Sequence, residues 1–164
     1  MTTQTVTIDY LEEVANDFLE EEFGLTLEVP ITISNRFTRT LGCVRMQQNR
    51  VTGYLSVKEI TMSGNLIKYY NHETVIDVLK HECVHYALFH LGKPYRDGDA
   101  YFENTLKRLG ITRTGVIEHK GKAHVYVCKE CDSKVVRERR FNVNIYRCGR
   151  CKTGRFEYLK QTVR

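Results

Sequence analysis

The segment His81-Glu82-Cys83-Val84-His85 constrains the folding of this chain more than any other. Two imidazoles four residues apart share a face on a helix, where both can address one metal ion. The flanking residues agree. Asn71 suits an N-cap, Glu73 and Asp77 favour the positive helix end, and no Pro or Gly interrupts before Gly92. Val75, Val78, Leu79 and Ala87 recur at helical spacing, and Gly92 with Pro94 forms a stop. A helix over residues 72–91 is predicted to carry the motif. Glu82 is then placed as general base toward a water held by zinc, which lowers the pKa of that water to about 7. Metal-assisted hydrolysis, with the peptide bond as target, is the chemistry this pattern proposes. The plainer alternative is two helix histidines beside a surface glutamate.

Four of the six cysteines fall as Cys128-x2-Cys131 and Cys148-x2-Cys151, with sixteen residues between the pairs. This is the spacing of two tight knuckles that aim four thiolates at one tetrahedral zinc. Four sulfur ligands leave no open position, so this second zinc is structural. Cys43 and Cys83 have no partner spacing and read as small apolar core residues.

The net charge of +5 is unevenly spread. Residues 1–30 hold eight acidic residues and no Lys or Arg, whereas residues 118–164 hold thirteen basic and five acidic ones. A basic tail suits a polyanion, nucleic acid being the commonest, although it also keeps a small module soluble. Arg137, Arg139, Arg140, Arg147, Arg150 and Arg155 interleave with Phe141, Tyr146, Phe156 and Tyr158, a composition found on single-strand nucleic-acid surfaces. So small a module needs two of the four rings for its own core. With no apolar run of membrane-spanning length and no secretory leader, the expectation is a soluble cytoplasmic protein without a membrane partner.

The predicted order is a helix over residues 8–23, a strand through Leu27, Val29, Ile31 and Ile33 with Pro30 near an edge, and strands at Thr40–Met46 and Tyr54–Val57 around a turn at Gln47–Asn49. The motif helix, a helix at Tyr101–Leu109 and a linker over 111–122 follow. Beyond it come short β runs at Val125–Val127 and Asn142–Tyr146. The fold class is α+β in two parts.

This order resembles the SprT-like family, whose relatives include the Spartan proteases that act on DNA-bound proteins. The resemblance rests on the N-terminal helix, Leu41-Gly42 in a strand, His81-Glu82-x-x-His85, the stretch ahead of Phe102 and the four cysteines. It implies a zincin-like minimal metallopeptidase domain over residues 1–115 and a small zinc ribbon over 120–164. Many family members carry a third metal-binding His ahead of the Phe. Here the segment reads Tyr95-Arg96-Asp97-Gly98-Asp99-Ala100-Tyr101-Phe102, and aligning on Phe102 puts Asp97 at that place. The implied catalytic zinc ligands are His81, His85 and Asp97, with Asp99 and Glu103 in reserve; a helix cap is the other natural role for Asp97. Tyr95 and Tyr101 read as packing residues first and oxyanion donors second. His72, His90, His119 and His124 are assigned no metal.

Two functions follow. One is a zinc metallopeptidase acting on a protein or peptide, with its basic ribbon directing it to DNA-associated proteins. The other is a non-enzymatic nucleic-acid-binding adaptor with a vestigial helix site, favoured by the missing histidine and opposed by the intact Glu82.

Overall fold

Thr7 opens helix α1 (Ile8–Phe23): its hydroxyl accepts from the Tyr10 backbone N–H at 3.2 Å, and Gly24 at φ +63° closes the helix. The computed structural model describes residues 6–163 and divides into two units, the first ending at Glu118 and the second starting at His119. Helices and sheets mix in an α+β architecture.

In the first unit, β1 (Ile31–Ser34), β2 (Gly42–Gln48) and β3 (Leu55–Ser63) form a sheet in the order β1-β3-β2. β1 runs parallel to β3 and β2 antiparallel to it. β1 is an edge strand, but Leu27, Val29 and Pro30 lie outside it. Side chains satisfy that preceding backbone instead. Asn16 Oδ1 accepts from the Leu27 N–H at 2.9 Å, and the Tyr86 hydroxyl accepts from the Glu28 N–H and donates to the Thr26 carbonyl, each at 3.1 Å. The β2–β3 turn falls at Asn49–Gly53, later than predicted, because the Asn49 side chain caps the N–H groups of Val51 and Thr52.

A short helix, α2 (Gly64–Tyr69), follows β3 and was not predicted; Ser63 caps it. Next comes α3 (His72–His90), started by the Asn71 side chain on the Thr74 N–H at 2.9 Å. Its burial extends around the whole helix between Val78 and Leu88, as expected of a central helix packed on several sides. Leu11 and Leu19 of α1, Ile60 and Met62 of β3, and Phe102 of α4 (Ala100–Leu109) share its core.

The second unit is an antiparallel sheet, β5-β4-β6, from β4 (Lys122–Cys128), β5 (Lys134–Arg137) and β6 (Phe156–Val163). Val125–Val127 lies in β4, but Asn142–Tyr146 is a turn, not a strand. The Asn142 carbonyl accepts from the Ile145 N–H at 3.1 Å and its side chain from the Asn144 N–H at 3.0 Å. Of the four rings weighed above, Phe141 and Phe156 join the core while Tyr146 and Tyr158 stay exposed.

Candidate metal centres

α3 carries His81 and His85 one turn apart, and the loop between α3 and α4 brings Asp97 to them. Asp97 Oδ1 lies 3.4 Å from His81 Nε2 and 3.6 Å from His85 Nε2. A tetrahedral zinc with bonds of about 2.0–2.1 Å separates its ligand atoms by about 3.4 Å, so these three residues can hold one. The imidazoles are held from behind. Phe102 stacks on His85 with centroids 4.1 Å apart and meets His81 edge-on at 5.3 Å. His85 Nδ1 donates to the Tyr95 carbonyl, which leaves Nε2 with its lone pair toward Asp97.

Asp97 does not cap the next helix. Asp99 holds the N-cap position of α4, and its carboxylate accepts from the Arg96 N–H at 2.9 Å. Glu103 accepts from the Gly98 N–H at 3.0 Å and pairs with Arg113 at 3.3 Å. Both reserve carboxylates are thus engaged in shaping the loop.

Burial lowers the pKa of His81 and of His85; for His81 the neighbouring His85 charge adds to this and Asp97 opposes it. Neutral imidazole is the form that binds a metal. Glu82 is 4% exposed, and burial, reinforced by the Asp97 charge, pushes its carboxyl up to about 8, against the backbone hydrogen bond of Val44. A cavity of about 260 Å³ opens here, lined by Gly42, Cys43, Val44, Glu82, His85 and Asp97 among others. Cys83 is fully buried in the core, but Cys43 is half-buried on β2 and faces this cavity, contrary to its expected core role.

In the second unit all four cysteines of the two knuckles are free thiols within ligand distance of one another. Cys128 and Cys151 sulfurs are 3.7 Å apart, as are those of Cys131 and Cys148. A disulfide needs about 2.05 Å. A tetrahedral zinc with bonds of about 2.3 Å needs about 3.8 Å between sulfurs, so the cage fits it closely. The Ser133 hydroxyl, 3.3 Å from Cys148 Sγ, pulls that thiol down to about 6, and the Gly154 backbone N–H lowers Cys151. Gly154 is required at its position: an added Cβ would collide with Cys128 Sγ and come within 2.9 Å of Cys151 Sγ.

Comparison with known proteins adds the decisive observation. A family model described as the SprT-like family matches residues 8–146, from α1 through both histidines, Asp97 and the first cysteine knuckle. The chain belongs to the SprT-like family. A protein named "Protein SprT-like" from Streptococcus gordonii is 40% identical over 91 residues, which cover 54% of this chain and 61% of that protein. Proteins of the same name from Bacillus cereus (strain AH187) and Bacillus anthracis (strain CDC 684 / NRRL 3495) are 33% and 32% identical over 120 residues, covering 69% of this chain and 78% of each.

Within this SprT-like chain the other singled-out residues are placed as follows. Tyr95 packs partly buried against the core and offers its carbonyl to His85, whereas Tyr101 is 47% exposed. His72 meets Tyr10 at a tilt, His90 meets Tyr86 at a tilt and Phe89 edge-on, His119 lies 3.7 Å from Glu138, and His124 contacts Tyr158. None belongs to a candidate metal cluster among the described residues. Arg137, Arg139, Arg140, Arg147 and Arg150 line one cavity of about 600 Å³ on the ribbon. Arg155 is outside that lining, in a bridge with Arg147. Among the described residues no helix is long and apolar enough to cross a membrane.

Proposed function

We propose that this SprT-like chain is a zinc-dependent peptidase with a zincin-like catalytic unit. The observation that carries the reading is one buried carboxyl, Glu82, beside three ligand atoms spaced for a tetrahedral ion, at an open cavity. His81, His85 and Asp97 would hold the ion, which when bound supplies positive charge that acidifies water and polarises a carbonyl. Glu82 takes the proton of the attacking water on its carboxylate and returns it to the leaving amine nitrogen. Nearby positive charge also offsets the burial that keeps this carboxyl protonated. β2 lies at the edge of its sheet and lines the cavity, so its outer backbone groups can align an extended peptide by strand addition. The Arg-lined ribbon cavity supports a nucleic-acid contact that would bring the peptidase to DNA-associated proteins. That same cavity favours the adaptor reading if the helix site proves inert.

An unstructured protein, offered with and without single-stranded DNA, is expected to be cut by the zinc-loaded chain and not by His81→Ala. A loaded wild type that cuts nothing in either condition, yet binds DNA, would replace the peptidase with the adaptor.

Asp97 gives the site a carboxylate where histidine is commoner, which widens metal choice toward harder ions such as manganese. Asp97→Ala is expected to weaken zinc binding at this site by more than the ~10–100-fold typical of a lost outer-shell partner. Asp97→His is expected to keep zinc and to lose manganese. Metal analysis after dialysis against each ion measures this, and an Ala variant with unchanged zinc removes Asp97 from the ligand set.

A further inference from the structure

Gly42 has no conformational reason to be glycine: it is not among the glycines with positive φ, and it sits in the regular β2 ladder opposite Met62. What it lacks is space. A Cβ built there would lie 2.9 Å from Glu82 Cγ, 3.0 Å from Oε1 and 3.2 Å from Cδ. All three nearest atoms belong to one side chain, the proposed general base. Both backbones are held, so it is the Glu82 side chain, at the wall of the cavity, that must yield. The strand is pinned by the Ser63 N–H on the Leu41 carbonyl at 2.8 Å, with Leu41 buried, and Glu82 stands on the central helix beside fully buried Cys83. Two residues along the same strand, the backbone of Val44 favours the ionised Glu82 carboxyl, against its burial. β2 therefore leaves a slot for the Glu82 stem at residue 42, and its backbone at residue 44 favours the charged carboxyl.

We propose that Gly42 is a positioning residue for the reaction, its missing side chain forming the seat that fixes the Glu82 carboxyl at the cavity. The inference rests on the peptidase reading above. A methyl group at residue 42 drives the carboxyl out of its seat by a few tenths of an ångström or more. Misplacements on the 1 Å scale cost about 100-fold in rate.

The seat is tested without any activity by a double-variant cycle in melting temperature. Gly42→Ala is expected to lower Tm in the wild type and to cost nothing in a Glu82→Ala background, where Cγ, Cδ and both oxygens are gone. Equal losses in the two backgrounds would overturn the seat. The same cycle covers a Gly42→Ala chain too unstable to assay, because the double variant is then expected to refold. Positioning is tested by kinetics: Gly42→Ala is expected to lose about 10- to 100-fold in kcat, the upper figure being that of a 1 Å misplacement, with KM and bound zinc unchanged. An unchanged kcat alongside a coupled Tm would leave a packing contact and refute the positioning role. A wild type that cuts nothing removes the peptidase reading and this role with it, and the Tm cycle still reports on the seat.

Discussion

Glu82→Gln is expected to abolish peptide cleavage while both metal sites stay filled. Gln keeps the volume and one hydrogen-bonding oxygen of the carboxylate, so the buried slot beside Gly42 remains occupied. It removes the ability to accept a proton, and a positioned general base contributes about 100- to 10,000-fold. Single-turnover cleavage beside metal analysis is the measurement; a metal-filled Gln variant that retains wild-type rate removes Glu82 from the mechanism. The same pair of proteins reports on burial when stripped of metal. With the folded carboxyl near 8 and an ordinary value of 4.5, the folded chain holds a proton that the unfolded chain releases between these limits. Stability from this group is therefore present below about pH 4.5 and lost as pH rises through about 8, on the order of a few kcal/mol. The lowered histidines act in the opposite sense, since the unfolded chain gains protons first as pH falls below their ordinary 6.5. The difference between wild type and Glu82→Gln isolates the carboxyl: their metal-free melting curves should converge toward acid and separate toward pH 8, with the wild type less stable. Parallel curves would contradict the buried proton.

Removing the ribbon metal is expected to unfold the second unit. Among the described residues its buried hydrophobic side chains are Ala123, Val125, Tyr126, Cys128, Cys148 and Phe156, so a third of them are the ion's own ligands. So few buried side chains cannot offset the chain entropy of a module this size, whereas structural zinc contributes about 10–16 kcal/mol of apparent binding energy in comparable peptides. Cys148→Ser, or stripping with a strong chelator, should expose the basic stretch to trypsin at once, while the first unit, with its own extensive core, stays resistant. A ribbon that resists trypsin after verified metal loss would show that hairpin packing alone folds it.

Much of this arrangement is legible in the residues because local chemistry dictates it. Asn71, Gly92 and the apolar spacing define α3, and the helix then places His81 and His85 on one face whatever surrounds them. The cysteine knuckles are similarly local. What escaped depends on distant partners. Leu27 and Val29 alternate like a strand, yet Asn16 takes the Leu27 N–H and Tyr86 the N–H of Glu28 between them. Asn142–Tyr146 carries β-prone side chains, but the two asparagines turn it. α2 is too short to show a period. Sequence narrows Asp97 to ligand or cap; the folded loop, with Asp99 at the cap position, removes the second role. The approach of Gly42 to Glu82 spans forty positions and leaves no local trace beyond a glycine in a strand.

The two candidate ions are gripped in different ways, and this bears on how long each stays. In the ribbon, Cys128 and Cys148 are buried and Cys131 and Cys151 half-buried, so an ion there is shielded on every donor. In the first unit two donors stand on a rigid helix, while the third, Asp97, belongs to a loop and has a side chain 61% exposed to solvent. An ion there can be released by loop excursion alone, with α3 intact. On the peptidase reading proposed above, a metal at this site would exchange while the helix stays folded, and metal supply would switch the activity on and off without unfolding the chain.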